Sequence, residues 1–259
     1  MQVGIVGAGV VGGTMAQILR ESPVFDVRVY DPHKGYDDAG ALNESDLVFV
    51  SVWTPMVGDK LDESALWEAV DTVDQEVATD MIVVRSTVLP GTMTELIGRY
   101  PDQQFAFVPE FLTEEDPYGT SRSPDRIVVG MEDDYFNAVP QLVEVMEHIA
   151  PGAPMVWTNP EAAVLVKLAS NAMLAAKVAL ANEMALICDA YGETWDEVRS
   201  MIGLDRRIGP AHMRVTERLG YGGSCFPKDM RGLIYAARAE GVEPMILEEI
   251  ERANDGRYV

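Results

Sequence analysis

Two cysteines, Cys188 and Cys225, and three histidines are all that 259 residues supply of these types. So few thiols exclude a disulfide framework, and no His/Cys cluster has metal-ligand spacing, so no metal is expected. Basic residues are scarce as well: 20 Lys and Arg stand against 42 Asp and Glu, for a formal net charge of −22. That balance argues against nucleic acid and anionic membranes as partners, yet leaves room for a locally basic site that takes an anionic small molecule. The five lysines are Lys34, Lys60, Lys167, Lys177 and Lys228, a lysine-poor, acidic composition compatible with a saline host. No apolar run approaching the roughly 20 residues of a membrane span is expected, and the N-terminus enters a strand instead of a signal-like segment. A cytoplasmic location is the expectation, with length enough for one large domain or two modest ones.

Against these absences stands Gly220-Tyr221-Gly222-Gly223-Ser224-Cys225-Phe226-Pro227-Lys228-Asp229, which sets one cysteine among glycines with a Lys-Asp pair just behind it. By itself the segment fits either a small core cysteine or a nucleophile, because backbone N–H groups and a nearby lysine favour the thiolate. The start of the chain supplies a reason for carbonyl chemistry. An apolar strand, Gln2 to Val6, runs into Gly7-Ala8-Gly9-Val10-Val11-Gly12, and a helical pattern follows. In that context Gly7 permits the tight turn, Gly9 lets a pyrophosphate reach the backbone, and Gly12 allows close helix–strand packing. A second strand, Val27 to Tyr30, ends at Asp31, placed to accept from ribose hydroxyls and to repel a 2′-phosphate, so NAD is expected over NADP.

Further short apolar runs follow at 46–52, 81–86, 105–108 and 126–130, with helical patterns or loops between them. Such alternation predicts an α/β fold, a Rossmann-like, doubly wound parallel sheet whose ligands lie at the carboxyl ends of the strands. Three of those ends carry Thr54-Pro55, Ser86-Thr87 and Pro109-Glu110, which therefore face the cofactor crevice or serve as ordinary turns. From about Glu161 to Tyr191 the pattern becomes one long alanine-rich helix with Lys167 and Asn171 four apart on its apolar stripe. A lysine there is either snorkelling at the stripe's edge or buried with a partner. Cys188, inside the same pattern, is expected in the core. The alanines permit close helix contact, within a bundle or across a homodimer seam. A short helix from Thr194 to Ile202, the cysteine loop, and helices near 228–240 and 244–254 complete a small all-α domain. The expected boundaries are 1–158 for the cofactor domain and 159–259 for the central helix with the helical domain.

The ordered set of Gly7-x-Gly9-x-x-Gly12, Thr54-Pro55, Ser86-Thr87-Val88-x-Pro90-Gly91-Thr92, Pro109-Glu110-Phe111-Leu112, Pro124-Asp125-Arg126-Ile127-Val128-Val129-Gly130, Lys167-x-x-x-Asn171, Asn182-Glu183, Asp205-x-Arg207-Ile208-Gly209 and the cysteine segment resembles the UDP-glucose/GDP-mannose dehydrogenase family. The cysteine segment and Arg207-Ile208-Gly209 are most similar to its UDP-glucose 6-dehydrogenase members. The resemblance implies two successive hydride transfers to NAD from the C6 carbon of a nucleotide sugar, UDP-glucose foremost, through a thiohemiacetal and a thioester on Cys225. It implies oxyanion stabilisation by Lys167 and Asn171, water activation by Asp229, and a general base at Glu110 assisted by Thr87. It adds Val10, Val11, Glu114 and Lys228 to Gly7, Gly9, Gly12, Asp31, Thr54, Pro55, Ser86 and Thr87 as cofactor contacts. Substrate contacts follow at Phe111, Leu112, Thr113, Lys167, Asn171, Arg207, Tyr221 and Gly222.

The chain departs from the family pattern at Val108, where an asparagine is expected, and at Glu115, where a glycine is. The family continues past the position of Asn254 with a second α/β domain that holds much of the nucleotide. These 259 residues do not include it, and a separate partner in its place is one expectation. Two other readings stay open: a two-electron dehydrogenase of the hydroxyacid type, and a non-catalytic NAD-binding partner subunit.

Overall fold

The computed structural model describes residues 1–132, 139–216 and 219–256. They divide into two compact units, one of Met1–Pro55 with Leu61–Lys167, the other of Met56–Lys60 with Leu168–Val259. The division falls inside the long helix, beyond the boundary expected at residue 158.

In chain order the first unit contains β1 (Gln2–Val6), α1 (Val10–Leu19), β2 (Asp26–Tyr30) and β3 (Ser45–Val50). A hairpin of β4 (Met56–Val57) and β5 (Lys60–Leu61) interrupts it before α2 (Ser64–Glu76), β6 (Thr79–Val84), α3 (Thr92–Arg99), β7 (Phe105–Phe107) and α4 (Pro117–Arg122). β8 (Ile127–Met131), α5 (Val139–Ile149) and β9 (Met155–Thr158) follow. Seven of these strands form one sheet in the order β2-β1-β3-β6-β7-β8-β9. Every pairing is parallel except β7 with β8, which is antiparallel through Ala106–Met131 and Phe107–Gly130. β3 and β6 each end in four consecutive buried residues, as strands covered on both faces require. Met15, Ile18 and Leu19 of α1 and Leu142, Val145 and Met146 of α5 close the core against Val3, Ile5 and Phe49. Val108, the departure from the family's asparagine, is fully buried in this cluster.

Two local devices hold the loops that follow the strands. Gly130 lies where a Cβ would come 2.5 Å from the Cβ of Ala163 and 2.9 Å from the Cα of Pro160, so only glycine admits the start of the long helix against β8. The first turn of α3 has no cap of its own, Gly91 having φ +95° and no side chain. Glu161 accepts instead from Gly91 N–H at 2.8 Å, Thr94 N–H at 3.1 Å and the Thr94 hydroxyl at 2.8 Å. Glu63 accepts from Leu89 N–H at 2.8 Å and from the Thr92 hydroxyl. Glu161 thus satisfies N–H groups that the helix leaves open, Glu63 ties down the loop before it, and both carboxylates sit at its positive end.

The second unit holds most of α6 (Pro160–Ala190), then α7 (Trp195–Ile202), α8 (Phe226–Ala239) and α9 (Met245–Asp255). Ala172, Ala175, Val178 and Ala179 of α6 pack with Tyr221, Met230 and Ile234, and Leu247 and Ile250 of α9 lie against the same cluster. A second cluster joins Ala181, Trp195 and Met213, with Cys188 only partly buried at its edge, where the sequence pattern pointed to the core. Thr194 caps α7 by position only, its hydroxyl bonding Glu197 at 3.1 Å.

One expectation is corrected. α6 contains an 18-residue stretch of mean hydropathy 1.6, long and apolar enough by length and composition to cross a membrane. Half of that stretch is buried inside the protein, and its buried face carries Asn171 and Asn182, polar groups suited to a protein interior more than to lipid.

Glu161→Ala is expected to lower stability by about 1–3 kcal/mol in urea unfolding, because two N–H groups and a hydroxyl lose their acceptor; Glu161→Gln, which keeps a carbonyl, loses less. A second expectation concerns alkaline pH. The Tyr100 hydroxyl donates to Asp71 at 2.5 Å, and burial, that hydrogen bond and the Asp71 charge push the phenol up to about 12. A pKa raised in the folded state gives stabilisation that is complete below the unfolded value of about 10 and is lost as pH rises towards the folded one. Unfolding free energies measured from pH 9 to about 12 should therefore fall more steeply for the wild type than for Tyr100→Phe.

Candidate active site

The cofactor crevice lies in the first unit, at the carboxyl ends of β1, β2 and β3. Gly7 has φ +88°, and a Cβ on it would be 2.6 Å from the Ser51 carbonyl oxygen; on Gly12 it would be 2.0 Å from the Gly7 oxygen. Any side chain at either position breaks the turn. Gly9, by contrast, has open space where its Cβ would stand, which is the approach a pyrophosphate needs. Gly9 also precedes the first turn of α1, whose Val10 is exposed and Val11 half-buried. Asp31, just after β2, accepts from Ala8 N–H at 2.8 Å, and Lys34 donates to the Ala8 carbonyl. A cleft of about 590 Å³ opens here, walled by Gly7, Gly9, Asp31, Lys34, Trp53 and Pro55 together with the exposed face of α2. Volume, bare glycine turn and acid together fit NAD.

Thr54 and Ser86 are buried, and their hydroxyls bond the Thr87 and Val52 carbonyls, each at 2.9 Å. They lace the loops after β3 and β6 together beside the half-buried Thr87. Glu114 is exposed, on the loop before α4.

A second group in the same unit centres on Glu110. Lys167, 4% exposed, donates to the Glu110 carboxylate at 2.8 Å and to its backbone carbonyl at 2.7 Å, while Leu112 N–H donates to the other carboxylate oxygen at 2.9 Å. The lysine on an apolar stripe is thus buried with a partner. Arg126 stacks over the Phe111 ring at 4.4 Å and Lys167 lies 5.5 Å from the same ring. Arg85 is held beside Glu110 in a cavity of about 30 Å³ that Phe111, Thr120 and Arg126 also line. Burial lowers its pKa to about 10 against the opposing pull of Glu110, and its Nε has no hydrogen-bond partner among the described residues. Leu112 is half-buried and Thr113 exposed.

The second unit carries the thiol. Cys225 occupies the N-cap of α8, half-buried, with its Sγ 3.6 Å from the Ser224 hydroxyl. One turn on, Asp229 is 1% exposed and bound by Lys228 Nζ at 2.6 Å and by the Asn171 amide at 2.5 Å. Lys228 is itself buried and committed to this carboxylate. Gly222 is exposed, whereas Tyr221 is 1% exposed and its hydroxyl donates to Glu251. Burial and Glu251 push that phenol's pKa far up. Arg207 is 89% exposed in its side chain and pairs with Asp205 at 2.6 Å, which lowers the Asp205 pKa. Among the described residues no group of three His, Cys, Asp or Glu side chains is placed to hold a metal ion.

A parallel sheet with this glycine turn and this acid, followed by a helical unit bearing a thiol at a helix N-terminus, defines a NAD-binding oxidoreductase. Comparison with known proteins narrows the class. The NAD binding domain of the UDP-glucose/GDP-mannose dehydrogenase family matches residues 35–149 and its central domain matches residues 161–256. The chain belongs to that family of NAD-dependent nucleotide-sugar dehydrogenases. It is 31% identical to the UDP-glucose 6-dehydrogenase AglM of Haloferax volcanii over 99% of this chain and 70% of that protein. It is 34% identical to the UDP-glucose 6-dehydrogenase of Rickettsia bellii over 83% of this chain, and there the match spans 50% of the relative's length. Among solved structures, a UDP-glucose dehydrogenase from Pyrobaculum islandicum superposes with a TM-score of 0.84 at 26% identity, covering 98% of this chain and 68% of that one.

Sequence reasoning did not single out Arg85, Arg126 or Trp53 as site residues, Arg126 entering only as part of the motif at 124–130. The signal was there: an arginine closing the apolar run of β6, and a tryptophan directly before Thr54-Pro55. Trp53 is 57% exposed and lines the cofactor cleft, so titration with NAD should quench indole fluorescence, with most of the quench absent in Trp53→Phe. NADP should bind more weakly than NAD in the same titration, because its 2′-phosphate meets the Asp31 carboxylate.

Proposed function

We propose that the chain oxidises the C6 alcohol of UDP-glucose to the carboxylate, with Cys225 as the nucleophile. The observation that carries this reading is the thiol at the N-terminus of α8, one turn before a buried Asp229 held by Lys228 and Asn171. NAD, when bound, accepts a hydride, and the reaction uses two equivalents. Loss of the first hydride and a proton turns the alcohol into an aldehyde. The Cys225 thiolate adds to the carbonyl carbon, and its oxygen becomes the oxyanion of a thiohemiacetal, for which Lys167 and Asn171 are the N–H donors. Removal of the second hydride leaves a thioester. Water then adds to that carbonyl and the thiolate departs, giving the carboxylate. Asp229 orients this water, and Glu110, assisted by Thr87, takes its proton.

In the same reading Gly7, Gly9, Val10, Val11, Gly12, Asp31, Thr54, Pro55, Ser86, Thr87, Glu114 and Lys228 hold the cofactor. Phe111, Leu112, Thr113, Lys167, Asn171, Arg207, Tyr221 and Gly222 hold the sugar nucleotide. Residues 1–158 form the cofactor domain, which also supplies Glu110 and Thr87, and 159–259 form the central helix with the helical dimerisation and catalytic domain. Further contacts to the nucleotide come from a second α/β module of the family kind, or from a separate partner. The dimer reading has its own support: Met173, Leu180 and Ile187, seven residues apart along α6, are 69%, 57% and 45% exposed and form an apolar seam. NAD dependence supports a cytoplasmic location.

Counting NADH released per UDP-glucose consumed, with UDP-glucuronate assayed alongside, tests the reaction. Two NADH per sugar are expected, and no carboxylate product from Cys225→Ala. One NADH per sugar with an aldehyde product, or full turnover by Cys225→Ala, would overturn the thioester route in favour of a two-electron dehydrogenase. Light scattering should give a dimer for the wild type and a monomer for Leu180→Glu.

A further inference from the structure

We propose that Asn254 and Glu251, on the last helix of the described chain, are the positioning residues that hold the Cys225 loop. This rests on the reading of Cys225 as the nucleophile. The loop contains the exposed Gly222 and Gly223, Gly223 has φ +79°, and glycine gives up more backbone entropy on ordering than any other residue. Its entry is fixed locally by Thr216, whose hydroxyl bonds the Gly220 carbonyl at 2.7 Å and accepts from Gly220 N–H at 3.0 Å. Beyond that point the grip comes from α9. Asn254, 4% exposed, accepts from Tyr221 N–H at 2.8 Å and donates to the Tyr221 carbonyl at 3.1 Å, a reciprocal pair that an amide makes and a carboxylate does not.

Glu251 extends the same clamp to both sides of the thiol. It accepts from the Tyr221 hydroxyl ahead of Cys225 and from Arg231 Nε on α8 behind it, and Arg231 also donates to Asp255 at 2.9 Å. Segments four residues before and six residues after the cysteine are therefore bound to one turn of α9. Cys225 is joined to α8 by the Asp229 N–H, which donates to its carbonyl at 2.9 Å, and the clamp limits the backbone on both sides of that N-cap, where the open N–H groups of the first turn favour thiolate.

The test is alkylation of Cys225 by iodoacetamide as a function of pH, in a Cys188→Ala background so that one thiol is read, with circular dichroism and NAD titration as controls for fold and cofactor cleft. The wild-type midpoint is expected below the ordinary thiol value of about 8.5. Asn254→Ala should raise it by about one unit, slowing alkylation at neutral pH about tenfold, and lower kcat while NAD affinity is retained. Asn254→Asp keeps the acceptor for Tyr221 N–H and loses the donor, so it should fall between, and it carries the test if the alanine variant does not fold. A low wild-type midpoint left unmoved in a folded Asn254 variant would overturn the clamp alone. An ordinary wild-type midpoint, with turnover kept in Cys225→Ala, would overturn the nucleophile and the clamp together.

Discussion

A carboxylate taken out of water has to be met by cations or N–H donors, and that requirement organises both units. Glu110 is met by Lys167 and a backbone amide, Asp229 by Lys228 and Asn171, Glu251 by Arg231 and Tyr221. Removing one member of the buried Lys167–Glu110 or Lys228–Asp229 pair strands the other at a cost of about 3–5 kcal/mol, so those groups keep their geometry in the resting protein. A chain carrying −22 has acidic residues to spare and few cations. Two of its five lysines are nonetheless spent inside, each on one carboxylate. That expenditure separates the candidate site from the general acidity of the molecule.

Pairing and reactivity pull on the same atoms. Lys167 is an oxyanion donor in the proposed reaction and the ion-pair partner of Glu110 in the structure; Asp229 is both a water-orienting group and the acceptor for Asn171 and Lys228. In the proposed reaction a donor such as Lys167 exchanges its hydrogen bond to a carboxylate for one to the substrate. The exchange is less costly than it looks, because a donor that leaves a carboxylate for a developing oxyanion keeps a charged acceptor throughout.

The sequence was readable where a residue's local requirement is strict. Gly7 and Gly12 admit no side chain, and the apolar runs of β1, β3 and β6 announce strands covered on both faces. β9 was not foreseen, being four residues of mixed exposure, nor was the hairpin of two-residue strands at 56–61. The antiparallel turn of β8 against β7 has no signature in either segment, since both are apolar throughout. In the site, Lys167 stood out because a charge on an apolar stripe breaks helical patterning. Its partner did not, because Glu110 lies 57 residues away and nothing local points to it. Tyr221 looked like a loop residue open to a ligand, and only the tertiary structure turns its ring inward to Glu251.

The Asn254 pair closes over 33 residues of chain. During synthesis Tyr221, Cys225 and the whole of α8 are made before the amide that fastens them. Until α9 is complete Tyr221, at the entry of the glycine-rich segment, lacks the partner for its N–H and carbonyl. The segment that carries the thiol is therefore fastened only after α9 is made, by which time the cofactor cleft of the first unit has the residues it needs to fold.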